Sequence, residues 1–167
     1  MLLRAAHVKD RYDQLWATER GSSRTKGWHR TGDVGHLDDD GRLWVEGRLV
    51  HVVRTASGPV TPVGPEQRIE RLGEVSMAAV VGVGPVGTQQ AVAVVVPAAG
   101  DDPGSSRAVL GAPDLAAAVR SAAGVPLAAV LVAKVLPVDI RHASKIDRAR
   151  VARWAARVLA GGRVGSP

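Results

Sequence analysis

The chain has 167 residues, a formal net charge of +6 and 46% hydrophobic residues, enough for a globular core that must be aliphatic because there is no Phe and one Tyr. It has no Cys, which excludes disulfides, thiolate metal sites and a Cys nucleophile. No apolar run approaches the roughly 20 residues that cross a bilayer, so we expect a cytoplasmic protein without a membrane span.

The first 47 residues begin irregularly and become regular only at Asp33. The stretch ATERGSSRTKGWHR has neither a strand nor a helix period, and residues 2–8 have no obvious pairing partner nearby. From Asp33 the runs VGHL and RLWVEGR flank an Asp-Gly turn, which predicts a β-hairpin. A second ribbon is predicted from HVVRT and PVTPV around Gly58.

Strands and helices alternate over residues 65–160. Pro65 is expected to open the helix PEQRIERLG, Asp114 to cap the helix DLAAAVRSAAG before Gly124, and a last helix to cover Lys145–Ala160. VSMAAVVGVG, QQAVAVVVP and AAVLVAKVLP have the composition of buried strands. The sequence therefore predicts an α+β fold, a small open sheet of about three strands with flanking helices, plus N-terminal β-hairpins.

Three sequence patterns that could indicate a dinucleotide-binding loop, a metal site or a catalytic Ser/His pair have simpler explanations. Gly82–Gly87 matches G-x-G-x-x-G but is followed by a strand instead of a helix, which indicates a tight connection between strands. The five His residues are scattered without metal-ligand spacing, so no metal site is predicted. His142 and Ser144 are close in sequence but lack an orienting acid, so local hydrogen bonding is the better interpretation.

A basic face is predicted on the last helix, where Arg150, Arg153 and Arg157 lie opposite Val151 and Trp154. Such a face is usually solvated surface. A basic nucleic-acid or protein interaction module remains the alternative function, but the aromatic residues are not interleaved with the basic ones as base-stacking platforms would be. Nucleic acid is therefore not the favoured partner.

Three residues in chain order suggest a nucleotide site: Asp33 after a glycine turn, Arg48 at a strand end and Lys145 in a loop of small residues. Alone, Arg30-Thr31-Gly32-Asp33 is typical of an ordinary turn. Together with the other two it suits a nucleotide, because a carboxylate can accept two ribose hydroxyls, Arg binds phosphate, and a mobile Lys can neutralise a carboxylate beside a phosphate.

The stretch RTGDVGHLDDDGRLWVEGR, followed about a hundred residues later by DIRHASKIDR, resembles the C-terminal part of the AMP-forming adenylating enzymes. This family includes acyl-CoA synthetases, luciferases and peptide-synthetase adenylation domains. The resemblance implies that residues 1–47 are the end of a large adenylation domain and residues 48–167 a small C-terminal lid domain. It also implies that Asp33 holds the ribose hydroxyls, Arg48 contacts ribose or phosphate, and Lys145 bridges the substrate carboxylate and the α-phosphate of ATP, which acts with Mg²⁺.

Two departures from the family pattern narrow the resemblance. Val50 stands where the family usually has a polar hinge residue, and HVVRTASGPVTPVGPE replaces the glycine-containing basic strand that lines the CoA tunnel. The chain is thereby more similar to the β-lactone synthetases of olefin biosynthesis, which adenylate a β-hydroxy acid, with a long-chain fatty acyl-CoA ligase lid as the alternative. The family's phosphate-binding loop is missing, so we expect a fragment that lacks its N-terminal adenylation domain and is inactive alone.

Overall fold

The computed structural model describes residues 1–6, 22, 27–98, 110–138, 145–162 and 165–167. These residues divide into two units, Met1–Val50 and His51–Pro167. The stretch from Asp139 to Ser144, with His142, lies outside the described residues, as does most of the loop between Pro97 and Pro113.

The first unit consists of antiparallel strand pairs. Strands β1 (Leu2–Leu3) and β2 (His29–Arg30) pair with each other, so residues 2 and 3 have a partner that the sequence did not suggest. Strands β3 (Asp33–Leu37) and β4 (Leu43–Arg48) form the predicted hairpin, and a short 3-10 helix, Leu49–His51, follows.

The turn of the β3–β4 hairpin is organised by the carboxylate of Asp38. Its Oδ1 accepts from the backbone N–H groups of Asp40 at 3.1 Å and Arg42 at 2.8 Å, and its Oδ2 accepts from the Trp44 indole at 2.8 Å. The hydrogen bond from Trp44 is the main reason that the pKa of Asp38 lies below its ordinary value. Of the aspartates in this turn, Asp38 therefore fixes the backbone through hydrogen bonds to its ionised carboxylate.

The second unit is built on a mixed sheet. In the described part of the chain, β7 (Val75–Val83), β8 (Gln90–Pro97) and β9 (Ala129–Val132) lie in that order, β7 antiparallel and β9 parallel to β8. The ribbon of β5 (Val53–Thr55) and β6 (Gly58–Val60) precedes it. The helices are α1 (Val63–Ile69), α2 (Pro113–Ala123) and α3 (Arg148–Leu159).

Both faces of the sheet are covered by helices, which explains why its strands are almost uniformly apolar instead of alternating. Helices α1 and α2 cover one face, with Ile69 and Val119 in the core beside Val80. Helix α3 covers the other face and contributes Trp154, a fully buried side chain. The predicted α+β class, with about three strands, flanking helices and preceding hairpins, is confirmed.

Several predicted boundaries are wrong by a few residues. Helix α1 begins at Val63, so Pro65 does not open it but occupies the first turn, where a missing N–H costs no intrahelical bond. Asp114 is not the cap of α2, because Ala112 occupies the N-cap position and makes no side-chain cap bond. The left-handed Gly124, with φ of 64°, ends α2 as predicted.

The last helix and the glycine-rich turn bear on the site. Helix α3 begins at Arg148 and not at Lys145, because the Asp147 carboxylate caps it by accepting from Arg150 N–H at 3.0 Å. Gly82 lies in β7 and pairs with Ala91, whereas Gly84 and Gly87, with φ of 100° and 101°, form the turn that joins β7 to β8. The prediction of a tight strand connection is confirmed.

Candidate functional site

Asp33 and Arg48 lie directly opposite each other at the open end of the β3–β4 hairpin. Arg48 Nη1 is 3.2 Å from Asp33 Oδ1, and the two side chains are 59% and 24% exposed. The turn anchored by Asp38 sets this register, and a bulge between Val34 and Gly35 adjusts it. Two residues that the sequence suggested separately are therefore one ion pair with both partners open to solvent.

The backbone around Asp33 is also fixed. The N–H of Asp33 donates to Thr31 Oγ1 at 3.0 Å, and Leu49 N–H donates to Gly32 O at 2.8 Å. Gly32 has a φ of 76°, a left-handed conformation that favours glycine. The interpretation of Arg30–Asp33 as a turn is thus correct for the backbone, while the Asp33 carboxylate contacts Arg48.

The chemistry of this pair suits a sugar phosphate. An ionised carboxylate has acceptor sites for more than one partner, so Asp33 can pair with Arg48 and still accept hydroxyl donors. A guanidinium presents five donors, so Arg48 can contact a phosphate oxygen while it holds the carboxylate. Asp33 can therefore bind hydroxyl groups, and Arg48 beside it can bind an anion.

Lys145 belongs to the second unit and has an exposed side chain. The residues that follow it are held closely: Ile146 bridges to Val138, and Asp147 N–H donates to Pro137 O at 2.8 Å. A lysine at such a position combines a fixed main chain with an exposed ammonium group, which suits delivery of charge to an anion outside the unit.

Val50 is 83% exposed and is the last residue of the first unit. It lies within the 3-10 helix Leu49–His51. Packing within the described residues therefore does not explain an apolar side chain at this position.

The structure contains a buried ion pair of Glu66 and Arg148 that the sequence did not predict. Arg148 Nε donates to Glu66 Oε1 at 3.1 Å and Nη2 donates to Oε2, with the side chains 17% and 7% exposed. Burial raises the pKa of the Glu66 carboxyl, although hydrogen bonds and charge from Arg148 offset part of that rise. The partners are 82 residues apart, so local sequence carries no signal of their contact.

The basic face of α3 has the predicted form. Arg150, Arg153 and Arg157 are exposed, and they line a shallow depression with Ala156, Ser166 and Pro167. Val151 and Trp154 on the opposite side are buried. The face has no aromatic platform between its arginines, so it resembles a solvated surface more than a nucleic-acid site.

Within the described ranges, no group of three His, Asp or Glu side chains is placed to hold a metal ion. The same ranges contain no helix that is long and apolar enough to cross a membrane.

Comparison with known proteins supports the resemblance inferred from the motifs. No model of a known protein family matches the chain. An olefin beta-lactone synthetase of Stenotrophomonas maltophilia is 40% identical over 144 residues, which is 83% of this chain and 24% of that protein. The olefin beta-lactone synthetase of Xanthomonas campestris is 39% identical, covering 77% of this chain and 23% of that protein. A long-chain-fatty-acid–CoA ligase of Mycobacterium tuberculosis is 35% identical over 74 residues, 42% of this chain and 12% of that protein.

Solved structures share the fold. The amide bond synthetase McbA of Marinactinospora thermotolerans aligns with a TM-score of 0.73 at 28% identity, over 92% of this chain and 30% of its own. An anthranilate CoA ligase in complex with anthranoyl-AMP aligns with a TM-score of 0.74 at 21% identity, over 96% of this chain and 30% of its own. The chain thus spans about a quarter of the length of the curated relatives that it matches first, in their C-terminal part.

Proposed function

Because this chain belongs to the AMP-forming adenylating enzymes and corresponds to their C-terminal part, we propose that it provides the lid of an ATP-dependent ligase. The intact protein would transfer AMP from ATP to the carboxylate of a fatty or β-hydroxy acid. The observation that carries the proposal is the Asp33–Arg48 pair, because the two side chains are cross-strand neighbours, and a carboxylate beside a guanidinium suits a ligand that has both hydroxyl groups and a phosphate.

In this proposal the hairpin pair binds the nucleotide. The Asp33 carboxylate accepts hydrogen bonds from the ribose hydroxyls, and Arg48 contacts the ribose or a phosphate. Both side chains reach solvent, and the main chain at residues 31–33 is held by hydrogen bonds. The Mg²⁺ of the reaction would arrive bound to the phosphates of ATP. A cytoplasmic site of action is proposed with it, since ATP is the cosubstrate.

Lys145 acts on the reacting groups. The substrate carboxylate attacks the α-phosphorus, the bond to pyrophosphate breaks, and negative charge builds up on the oxygens around phosphorus. An ammonium group that bridges the carboxylate and the α-phosphate lowers the energy of that state more than the energy of the bound substrates. Its exposed side chain on a fixed main chain suits this role.

We place the domain boundary near Gly47–Arg48, with a hinge at Val50. The division of the structure into units after Val50 supports a boundary close to that point. An exposed apolar hinge residue is compatible with one closed conformation serving both reaction steps. We therefore favour β-lactone formation over thioester formation.

The proposed second step needs no CoA. The β-hydroxyl oxygen of the acyl-AMP attacks the acyl carbon, the bond to AMP breaks, the hydroxyl proton passes to solvent, and a four-membered lactone and AMP are the products. Similarity to two olefin beta-lactone synthetases over most of this chain supports this choice. A long-chain fatty acyl-CoA ligase is the runner-up because relatives of that kind match a shorter stretch.

The products of the intact protein distinguish these two candidates. Incubation with ATP, a long-chain β-hydroxy acid and CoA is expected to yield the β-lactone and AMP, with CoA left unconsumed, as measured by mass spectrometry and thiol titration. The same acid without its β-hydroxyl is the control and should stop at acyl-AMP. An acyl-CoA thioester as the main product would refute the lactone assignment.

A further inference from the structure

The buried ion pair lies on the same stretch of chain as Lys145. Arg148, its basic partner, is three residues after Lys145, a main-chain distance of at most about 10 Å. Glu66, its acidic partner, is on helix α1, at a position remote in sequence. The ion pair therefore joins helix α1 to the start of helix α3, although the strands of the sheet lie between these two helices in the sequence.

Glu66 has a third connection, to the edge of the sheet. In the described part of the chain β7 is an outer strand, and its Val80 N–H donates to Glu66 Oε1 at 2.8 Å. One carboxylate thus bonds to the edge strand and to both sides of the Arg148 guanidinium fork. Such a two-point contact fixes direction as well as distance, so the first residue of α3 has a defined place against β7.

Ile146 and Asp147, which connect Lys145 to Arg148, are also held in fixed positions. Ile146 bridges to Val138 and packs against the core, while Asp147 is bonded to Pro137 and caps α3. These contacts and Arg148 are consecutive in the chain. Lys145 is therefore separated from Arg148 only by two residues that are themselves held in place, and we expect a shift of Arg148 to disturb these contacts and the main chain beside Lys145.

Stability alone does not explain the ion pair of Glu66 and Arg148. Burial raises the pKa of Glu66 in spite of Arg148, so the arginine offsets only part of the effect that loss of hydration has on the carboxylate. Buried ion pairs of this kind can often be replaced by apolar groups without loss of stability. What an apolar replacement does not reproduce is the directed, two-point contact.

We propose that Glu66 and Arg148 are positioning residues, which hold the main chain at Lys145 so that its ammonium group reaches the reacting phosphate and carboxylate. This inference rests on the proposed function of Lys145 and adds a specific pair of residues to it.

The test uses the intact protein with the double substitution Glu66→Gln and Arg148→Met. The introduced glutamine keeps an acceptor for Val80 N–H, and the introduced methionine fills the space of the arginine stem without a charge. We expect a thermal midpoint within a few degrees of the wild type, an adenylation kcat about 10- to 100-fold lower, and a KM for ATP that is unchanged. Hydrogen exchange of the Asp147 and Arg150 amides should become faster, while exchange in β7 and β8 stays the same.

The matched control is Glu70→Gln. Glu70 Oε1 accepts from the β7 residue Ala78 at 2.9 Å, as Glu66 does from Val80, whereas the arginine at the start of α3 bonds to Glu66. This variant should keep the wild-type kcat. Arg148→Lys, which retains the charge and loses the fork, should recover part of the kcat that Arg148→Met loses.

The outcomes separate this inference from the proposed function. If the double variant keeps the wild-type kcat while Lys145→Ala is inactive, the positioning role is overturned and the function stands. If Lys145→Ala is as active as the wild type, the proposed function fails, and this inference fails with it. Should the double variant not fold, an unchanged kcat in Arg148→Lys overturns the positioning role instead, and a lowered kcat at an unchanged KM supports it.

Discussion

Replacing Lys145 by Ala in the intact protein is expected to slow ATP–pyrophosphate exchange about 10²- to 10³-fold, the loss typical of removing one preorganised charge or donor from a transition state. The side chain is exposed in its unit, so its truncation should leave the thermal midpoint unchanged. The loss should appear in kcat, because the ammonium group acts mainly on charge that develops during the reaction.

Lys134→Ala is the control for this experiment. Lys134 is also an exposed lysine of the second unit, but it follows β9 and lies outside the segment around Lys145. Its removal should leave the exchange rate within about twofold, as expected of a surface change. Equal losses in both variants would show that only the net charge of the unit matters, which is the behaviour of a basic interaction surface.

Replacing Asp33 by Asn should lower kcat/KM for ATP about 10²-fold. Two hydrogen bonds to a charged carboxylate are lost or weakened, and each is worth about 1.5–3 kcal/mol. The wild type should strongly prefer ATP to 2′,3′-dideoxy-ATP, and Asp33→Asn should lose most of that preference. The measurement is pyrophosphate exchange with each nucleotide.

Asp40→Asn provides the comparison within the same hairpin. Asp40 is also ion-paired, with Arg42, and its side chain is 67% exposed. The substitution should not change the preference between the two nucleotides. If Asp33→Asn keeps the full preference for ATP, the ribose is held elsewhere and the assignment of Asp33 is wrong.

Local signals predicted the framework of the fold well. The Asp-Gly turn between two apolar runs predicts the β3–β4 hairpin, and the valine-rich runs predict β7 and β8 as buried strands. Gly124 marks the end of α2 because a left-handed residue is needed there. Each of these features depends on residues that are close together in the chain.

The features that the sequence did not predict depend on competition between local hydrogen bonds or on contacts between residues that are distant in the chain. The last helix begins at Arg148 instead of Lys145, because the Asp147 side chain accepts from Arg150 N–H and so competes with continuation of the helix towards Lys145. The contact of Glu66 with Arg148 arises only when α1 and α3 meet β7, and no periodicity of a single sequence encodes such a meeting.

The candidate site was predictable in part. Asp33 and Arg48 were suggested as separate members of an ordered motif set, and the structure shows that cross-strand register makes them an ion pair. Lys145 was predicted in a loop of small residues at the start of the last helix, but neither the start of that helix at Arg148 nor the contacts from Pro137 and Val138 to the residues after Lys145 were predicted. Motifs identify residue types, whereas tertiary contacts supply their geometry.

The most direct test of the central claim is the identity of the nucleotide product. The intact protein, supplied with ATP and a long-chain β-hydroxy acid, should release AMP and pyrophosphate in equal amounts, one of each per acid consumed. Release of ADP and phosphate, or acid-independent cleavage of ATP, would contradict an adenylating mechanism and the roles given to Asp33, Arg48 and Lys145.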